Sequence, residues 1–135
     1  MNAGEALAQW RERQGRAGDD DGAKIFWVAL GPIRVPVPHP GQLRLHDLHH
    51  VVLGYETDLI GEMEISAYEL RTGVKTAMVF VLCVLGVALG MFVAPLRTAR
   101  AWKRGAGRRN LYGQSWAELR QWPFERTRDF MLGES

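Results

Sequence analysis

The sequence predicts an all-α protein: a small helical bundle with a metal site between two consecutive helices, and one long apolar helix. Three observations carry that expectation. His46 and His50 stand four residues apart, and on an α-helix, where each residue advances by about 100°, such a pair projects from one face. Gly54 and Thr57 then read as a helix C-cap and a new N-cap, so the chain breaks and restarts. Residues 76–96 form 21 positions without a charge, bounded by Lys75 and Arg97, and about 20 apolar residues make a helix long enough to cross a bilayer.

The elements follow in order. The 135 residues allow one domain, expected as a flexible N-terminal extension over 1–24 and a single helical domain over 25–135. Glu5 to Arg13 has a short helical pattern, and Gly15 to Gly22, rich in glycine and aspartate, reads as a linker. This segment lacks the apolar core of a secretory signal. From Ile25 to Val37 the chain is apolar, and Pro32, Pro36 and Pro38 impose an extended path. Phe26-Trp27 there suits an interfacial anchor or a core plug equally. Thr57 to Arg71 reads as an amphipathic helix with Ile60, Met63, Ile65 and Leu70 inward and Glu56, Glu64 and Glu69 as solvated charges. Pro95 permits a new helix through Trp102. Ser115 caps a short helix to Gln121, which Pro123 ends. No internal repeat is present.

The chemistry gathers at His46-Asp47-Leu48-His49-His50, which holds three of the four histidines. Imidazole nitrogens and carboxylate oxygens are ligands for zinc, iron or manganese. Asp47 sits beside the His46/His50 face and could reach or orient an ion. Glu62 is too distant for the same turn, but two helices meeting at an angle would return it to that face. His49, about 100° from His50, reads as solvated and dispensable.

Competing motifs fit less well. H-x-x-H-H matches one histidine box of membrane di-iron desaturases, but those need several boxes and only His39 is left over. H…HD…D phosphohydrolases need an upstream histidine on a helix, and His39 lies between prolines. In zincin proteases a glutamate follows the first histidine as general base. Asp47 is one methylene shorter, which makes peptide hydrolysis a poor fit.

The string HDLHHVVLGYETDLIGE resembles the H-D-x-x-H, eleven residues, E signature of the coenzyme Q (ubiquinone) biosynthesis family Coq-four, with Gly54, Thr57 and Gly61 also in that pattern. Ala94-Pro95-Leu96-Arg97, Trp102, the basic stretch Gly105 to Arg109, Asn110-Leu111-Tyr112 and Trp116 are similar to its C-terminal part. The resemblance covers roughly residues 25–120, as a compact bacterial-like version; the N-terminal segment and the apolar run depart from the mitochondrial pattern. It implies a divalent metal, zinc foremost with iron, cobalt or manganese as alternatives, held by His46, Asp47, His50 and Glu62. It further implies oxidative decarboxylation at ring C1 of a polyprenylated aromatic ubiquinone precursor, with Tyr55 as a neighbouring proton donor and the apolar run housing the prenyl tail. Family members also act as scaffolds for other quinone-biosynthesis proteins, so scaffolding, or prenyl-lipid binding without catalysis, is the alternative.

Charge and cysteine content bear on partners. Residues 1–96 carry 8 Lys+Arg against 11 Asp+Glu, and residues 97–135 carry 9 against 4. Such asymmetry points to an anionic surface near the C-terminal part, with a membrane as the natural candidate; no nucleic-acid reading motif accompanies the basic stretch. Cys83 is the single cysteine, which excludes a disulfide framework and fits a reducing compartment. The expected location is the cytoplasmic side of a membrane, peripheral or monotopic, with a single pass as the alternative. A homodimer is a further expected arrangement. Gly86-x-x-x-Gly90 is read as ordinary helix packing.

Overall fold

A computed structural model of the chain describes residues 1–15, 25–30, 33–38 and 43–133. Its first helix, α1 (Ala3–Arg13), begins at a capping box: the Asn2 side chain accepts from the Glu5 amide and the Glu5 carboxylate accepts from the Asn2 amide. Ala3, Ala6, Leu7 and Trp10 recur at helical spacing and are all buried. The expectation of a flexible extension therefore does not hold for α1, which belongs to the core. The rest of the expected linker, residues 16–24, lies outside the described residues.

The segment expected to be extended forms a hairpin. β1 (Ile25–Leu30) pairs antiparallel with β2 (Ile33–Pro38), with Val28 opposite Val35. Apart from this two-stranded ribbon the described elements are helices, so the expected helical bundle holds with a hairpin added to it. The side chains of Phe26 and Trp27 lie outside what is described.

α2 (Leu43–Leu53) ends at Gly54, whose positive φ of 75° and N–H donated to the His50 carbonyl close the helix. α3 (Leu59–Thr72) is the central helix. Its N-cap is Asp58 rather than the expected Thr57: Asp58 Oδ1 accepts from the Gly61 amide at 2.7 Å. Met63, Ile65, Ala67 and Tyr68 are buried on it.

The apolar run becomes α4 (Ala77–Val93), capped by Thr76. It stops at Ala94 because Pro95 cannot donate to the ladder and instead opens α5 (Pro95–Arg104). The expected single long apolar helix is thus cut to 17 residues, about 26 Å at 1.5 Å per residue, short of the ~30 Å hydrocarbon core. Among the described residues, no helix is long and apolar enough to cross a membrane, so the single-pass alternative is unsupported.

Close backbone approach seats α4 and α5 on α3. A Cβ at Gly86 would stand 2.5 Å from Ser66 Oγ, and one at Gly90 would stand 2.5 Å from Thr98 Oγ1 and 3.0 Å from Met63 Cβ. The G-x-x-x-G step is therefore spent on packing within the chain. α6 (Trp116–Leu119) is a single turn, and Pro123 starts rather than ends a helix, α7 (Phe124–Leu132). The two chain ends meet: the Ala3 amide donates to the Trp122 carbonyl and the Phe124 amide to the Met1 carbonyl. Leu48, Ile65, Tyr68, Leu111, Leu119 and Met131 form the fully buried centre.

Candidate metal centre

Helix α2 places His46 and His50 one turn apart, with ring centroids 4.9 Å from each other in an edge-on arrangement. The bend between α2 and α3 brings Glu62 to them. It is tight: a Cβ at Gly61 would collide with the Glu56 carbonyl, so glycine allows the first turn of α3 to fold under the preceding loop. Glu62 Oε2 then lies 3.1 Å from His46 Nε2, and Glu62 Oε1 lies 3.0 Å from His50 Nε2. One ligand atom from each of His46, His50 and Glu62 falls within 4.8 Å of the others.

The rings are fixed from behind. His50 Nδ1 is 2.9 Å from the Tyr55 carbonyl oxygen; a carbonyl only accepts, so Nδ1 carries a proton and donates. Trp10 stacks on the His50 ring at 5.7 Å between centroids and 18° between planes. His50 Nε2 is then left buried, close to Glu62 Oε1 yet without a hydrogen-bond partner in alignment. An imidazole lone pair facing a carboxylate oxygen at that distance is the arrangement a cation satisfies. Both histidines are held through their other nitrogen by a carbonyl or carboxylate, as metal-binding histidines commonly are. The donor set fits a divalent ion.

Behind His46 stands a residue that the amphipathic pattern misassigned. Glu69, expected as a solvated charge, is 1% exposed. Its carboxylate lies 3.0 and 3.1 Å from His46 Nδ1 and 2.5 Å from His49 Nδ1, and accepts from the Tyr112 hydroxyl at 2.7 Å. The Cys83 thiol approaches it at 3.7 Å. Glu64 was also expected in solvent; it is buried and accepts from Arg97 Nη2 at 2.6 Å. Glu56 is exposed as expected. The missed signal was spacing: Glu62 and Glu69 are two turns apart on α3 and so share the face that meets the histidines.

His49 is likewise corrected. It is fully buried, not solvated. Its Nε2 accepts from the Leu111 amide at 2.9 Å, so Nδ1 holds the proton and donates to Glu69. Asp47 turns away from the cluster: its Oδ2 accepts from Arg11 Nε at 2.9 Å, and both side chains are buried. The structure thus brings together His46, His50 and Glu62 of the four expected ligands and engages Asp47 with α1 instead. Tyr55 serves the site through its carbonyl, while its ring packs under the Arg104 guanidinium.

These contacts set the charges. Burial opposes a charge on His46, but the Glu69 carboxylate and hydrogen bonds to Glu62 and Glu69 outweigh it and hold its pKa well above the usual imidazole value. Burial would raise Glu62; the hydrogen bond from His46 and the close approach of the His46 and His50 rings prevail and bring it to about 2. Glu69 is also kept below the usual carboxylate range, since His46 and the bonds from His46 and His49 overcome its burial. For His49 burial is the largest influence and lowers the pKa despite Glu69. Burial, then the Glu69 charge, push the Tyr112 hydroxyl and the Cys83 thiol upward.

No protein-family model matches the sequence, and no curated protein matches it. Among solved structures, the chain is similar to the crystal structure of a protein from Nostoc punctiforme PCC 73102 that is provisionally assigned to ubiquinone biosynthesis. The TM-score is 0.58 at 18% identity, over 100% of this chain and 69% of that one. At that identity the likeness establishes a shared fold.

Proposed function

We propose that this chain acts in ubiquinone biosynthesis on a polyprenylated aromatic ring, holding a divalent metal at His46, His50 and Glu62 and promoting oxidative decarboxylation at ring C1. The ring–carboxylate bond breaks, CO₂ leaves and a hydroxyl takes its place, with water and dioxygen from solution as co-reactants and the dioxygen, as two-electron oxidant, reduced to hydrogen peroxide. The observation that carries the reading is the buried His50 Nε2 aimed at Glu62 without hydrogen-bond alignment, beside His46. The fold shared with the Nostoc protein supports the pathway, and the resemblance of the H-D-x-x-H…E string to the Coq-four signature is what suggests the chemistry. Zinc is the first choice of ion, since two imidazoles and one carboxylate with a remaining open position make a familiar catalytic zinc set. A divalent ion bound there supplies a Lewis acid for a phenol or carboxylate oxygen.

The chain's own residues do the rest. Tyr55 and Glu69 hold the two imidazoles in orientation. Trp10 shields one side of His50 from water. α4 touches the same polar cluster through Cys83, so an apolar substrate tail lying along α4 would bring its head group to the site. Other quinone-biosynthesis proteins, and a second copy of the chain, are proposed partners, on the cytoplasmic side of a membrane.

The test is metal analysis of the purified chain together with turnover of a carboxylated prenylphenol. Near-stoichiometric metal is expected, and His50→Ala should weaken metal binding by more than the ~10–100-fold typical of losing an outer partner, with loss of conversion. A metal-free protein, or a deletion strain with unchanged quinone, would overturn the reading. Full restoration of quinone synthesis by His50→Ala would replace catalysis with scaffolding.

A further inference from the structure

The outward side of α4 and α5 is apolar and unpartnered. Phe92 is 88% exposed, Leu96 72%, Leu85 61% and Phe80 51%. Contiguous exposed apolar surface of this kind marks an interaction site. Both helices bury their opposite sides against α3: α4 sets Gly86 on Ser66, and α5 sets Gly105 on Arg71. Their remaining faces therefore both point away from α3. On α5 the buried residues are Thr98 and Ala101, and at 100° per residue Leu96, Arg100 and Lys103 fall on the far side. The apolar ridge of α4 thus continues into a face carrying exposed cations, with Trp102 (41% exposed) near its border.

Charge selects among occupants. Between Glu69 and Glu118 the chain has no acidic residue, while it carries eight Lys and Arg, of which Arg100 and Lys103 are exposed on this face. A second copy laid across this face by a two-fold axis would bring like charges together. An apolar ridge edged by cations and an indole is instead the pattern of a helix lying in the interface of an anionic membrane. A helix too short to cross is suited to lying in the plane.

We propose that the outer face of α4 and α5 docks on an anionic lipid surface, with α4 along the membrane plane and its apolar side chains among the acyl chains. This rests on exposure and charge, and does not require the metal reading; failure of one leaves the other standing.

The experiment is flotation of the purified full chain with vesicles of phosphatidylcholine, alone or mixed with phosphatidylglycerol. Binding should be strong to the mixed vesicles and about tenfold or more weaker to the neutral ones, and added salt should weaken it. The exposed pair R100E/K103E should lose the preference for anionic vesicles, and L85S/F92S should lose binding to both. Circular dichroism melts of all variants should match the parent, since these positions are exposed. Equal binding to neutral and anionic vesicles, or unchanged binding by L85S/F92S, would overturn the proposal. So would absence of vesicle binding with a concentration-dependent dimer in sedimentation velocity that L85S/F92S abolishes, which would make this face a contact between copies.

Discussion

The two halves of the helical layer invert the usual arrangement of a small protein. Between α2 and α3 the interior is polar: His49 is 0% exposed, Glu69 1%, and Asp47 and Arg11 are buried together. On α4 and α5 the exterior is apolar, with Phe92 88% exposed. Buried charge is costly unless paired, and here each carboxylate of the cluster has donors within hydrogen-bond distance. Exposed apolar area contributes nothing to folding the isolated chain. The difference separates two roles: the first region specifies geometry at a site, and the second leaves open the apolar face proposed above to meet a lipid surface.

Removing Glu69 should break the first region most severely. Glu69→Ala leaves His46, His49 and the Tyr112 hydroxyl without their common acceptor, and a buried network stripped of one charged member loses about 3–5 kcal/mol. Urea denaturation would measure it, with Glu69→Gln expected between the two because it keeps one acceptor oxygen. A loss under about 1 kcal/mol, within reach of ordinary surface substitutions, would show that the polar cluster does not hold these helices together.

Asp47 sharpens the division between site and scaffold. Its carboxylate accepts from Arg11 of α1, so Asp47→Asn should cost about 2–3 kcal/mol of stability, as for a buried hydrogen bond to a charged group. Metal affinity, set by His46, His50 and Glu62, should change little. Isothermal titration of zinc into the variant separates the cases: a loss as large as that of His50→Ala would return Asp47 to the ligand set.

These expectations show which parts of the molecule were legible in the sequence. The α2 pair and its Gly54 cap were, because helical spacing and a left-handed glycine are local properties. Glu62 reaching that pair was legible as well, since one bend separates the two helices. Glu69 was not. An amphipathic pattern ranks a residue against its own helix, and a carboxylate reads as outward unless its partners are known; here one of them, Tyr112, is 43 positions away. α1 was read as part of an extension for the same reason, as its seat depends on Trp10 meeting His50 and Arg11 meeting Asp47. Prolines predicted an extended path for β1 and β2, but they carry no information about pairing. Pro123 was read as a stop and instead starts α7, because proline fits a helix beginning as well as it ends the preceding one.

The pH dependence should be milder than either substitution and should run in two directions. Glu62 and Glu69 have folded pKa values below the usual 4.5. Their contribution is full above pH 4.5 and is lost as pH falls toward the folded values. His46 is held above 6.5, so its contribution is full below pH 6.5 and is lost as pH rises through its folded value. His49, whose pKa burial lowers, acts the other way and costs stability as pH falls below 6.5, so metal-free protein should be most stable between these limits and nearer the upper one by urea midpoint. Added zinc should flatten the alkaline decline by replacing the His46 proton with a cation. A stability that keeps rising through the alkaline range would contradict a raised pKa at His46.

The smallest expected effect tests the second region. Phe92 is a large aromatic residue, and truncating one in a core costs about 3–5 kcal/mol. At 88% exposure it has almost no packing to lose, so Phe92→Ser should shift stability by no more than about 0.5 kcal/mol, the range of surface positions. The same change removes a large share of apolar area from the outer face and should raise the solubility limit of the purified chain. A destabilisation of core size would mean that Phe92 is covered in solution, and the contrast between a polar interior and an apolar exterior would then end at the border of a contact with another copy.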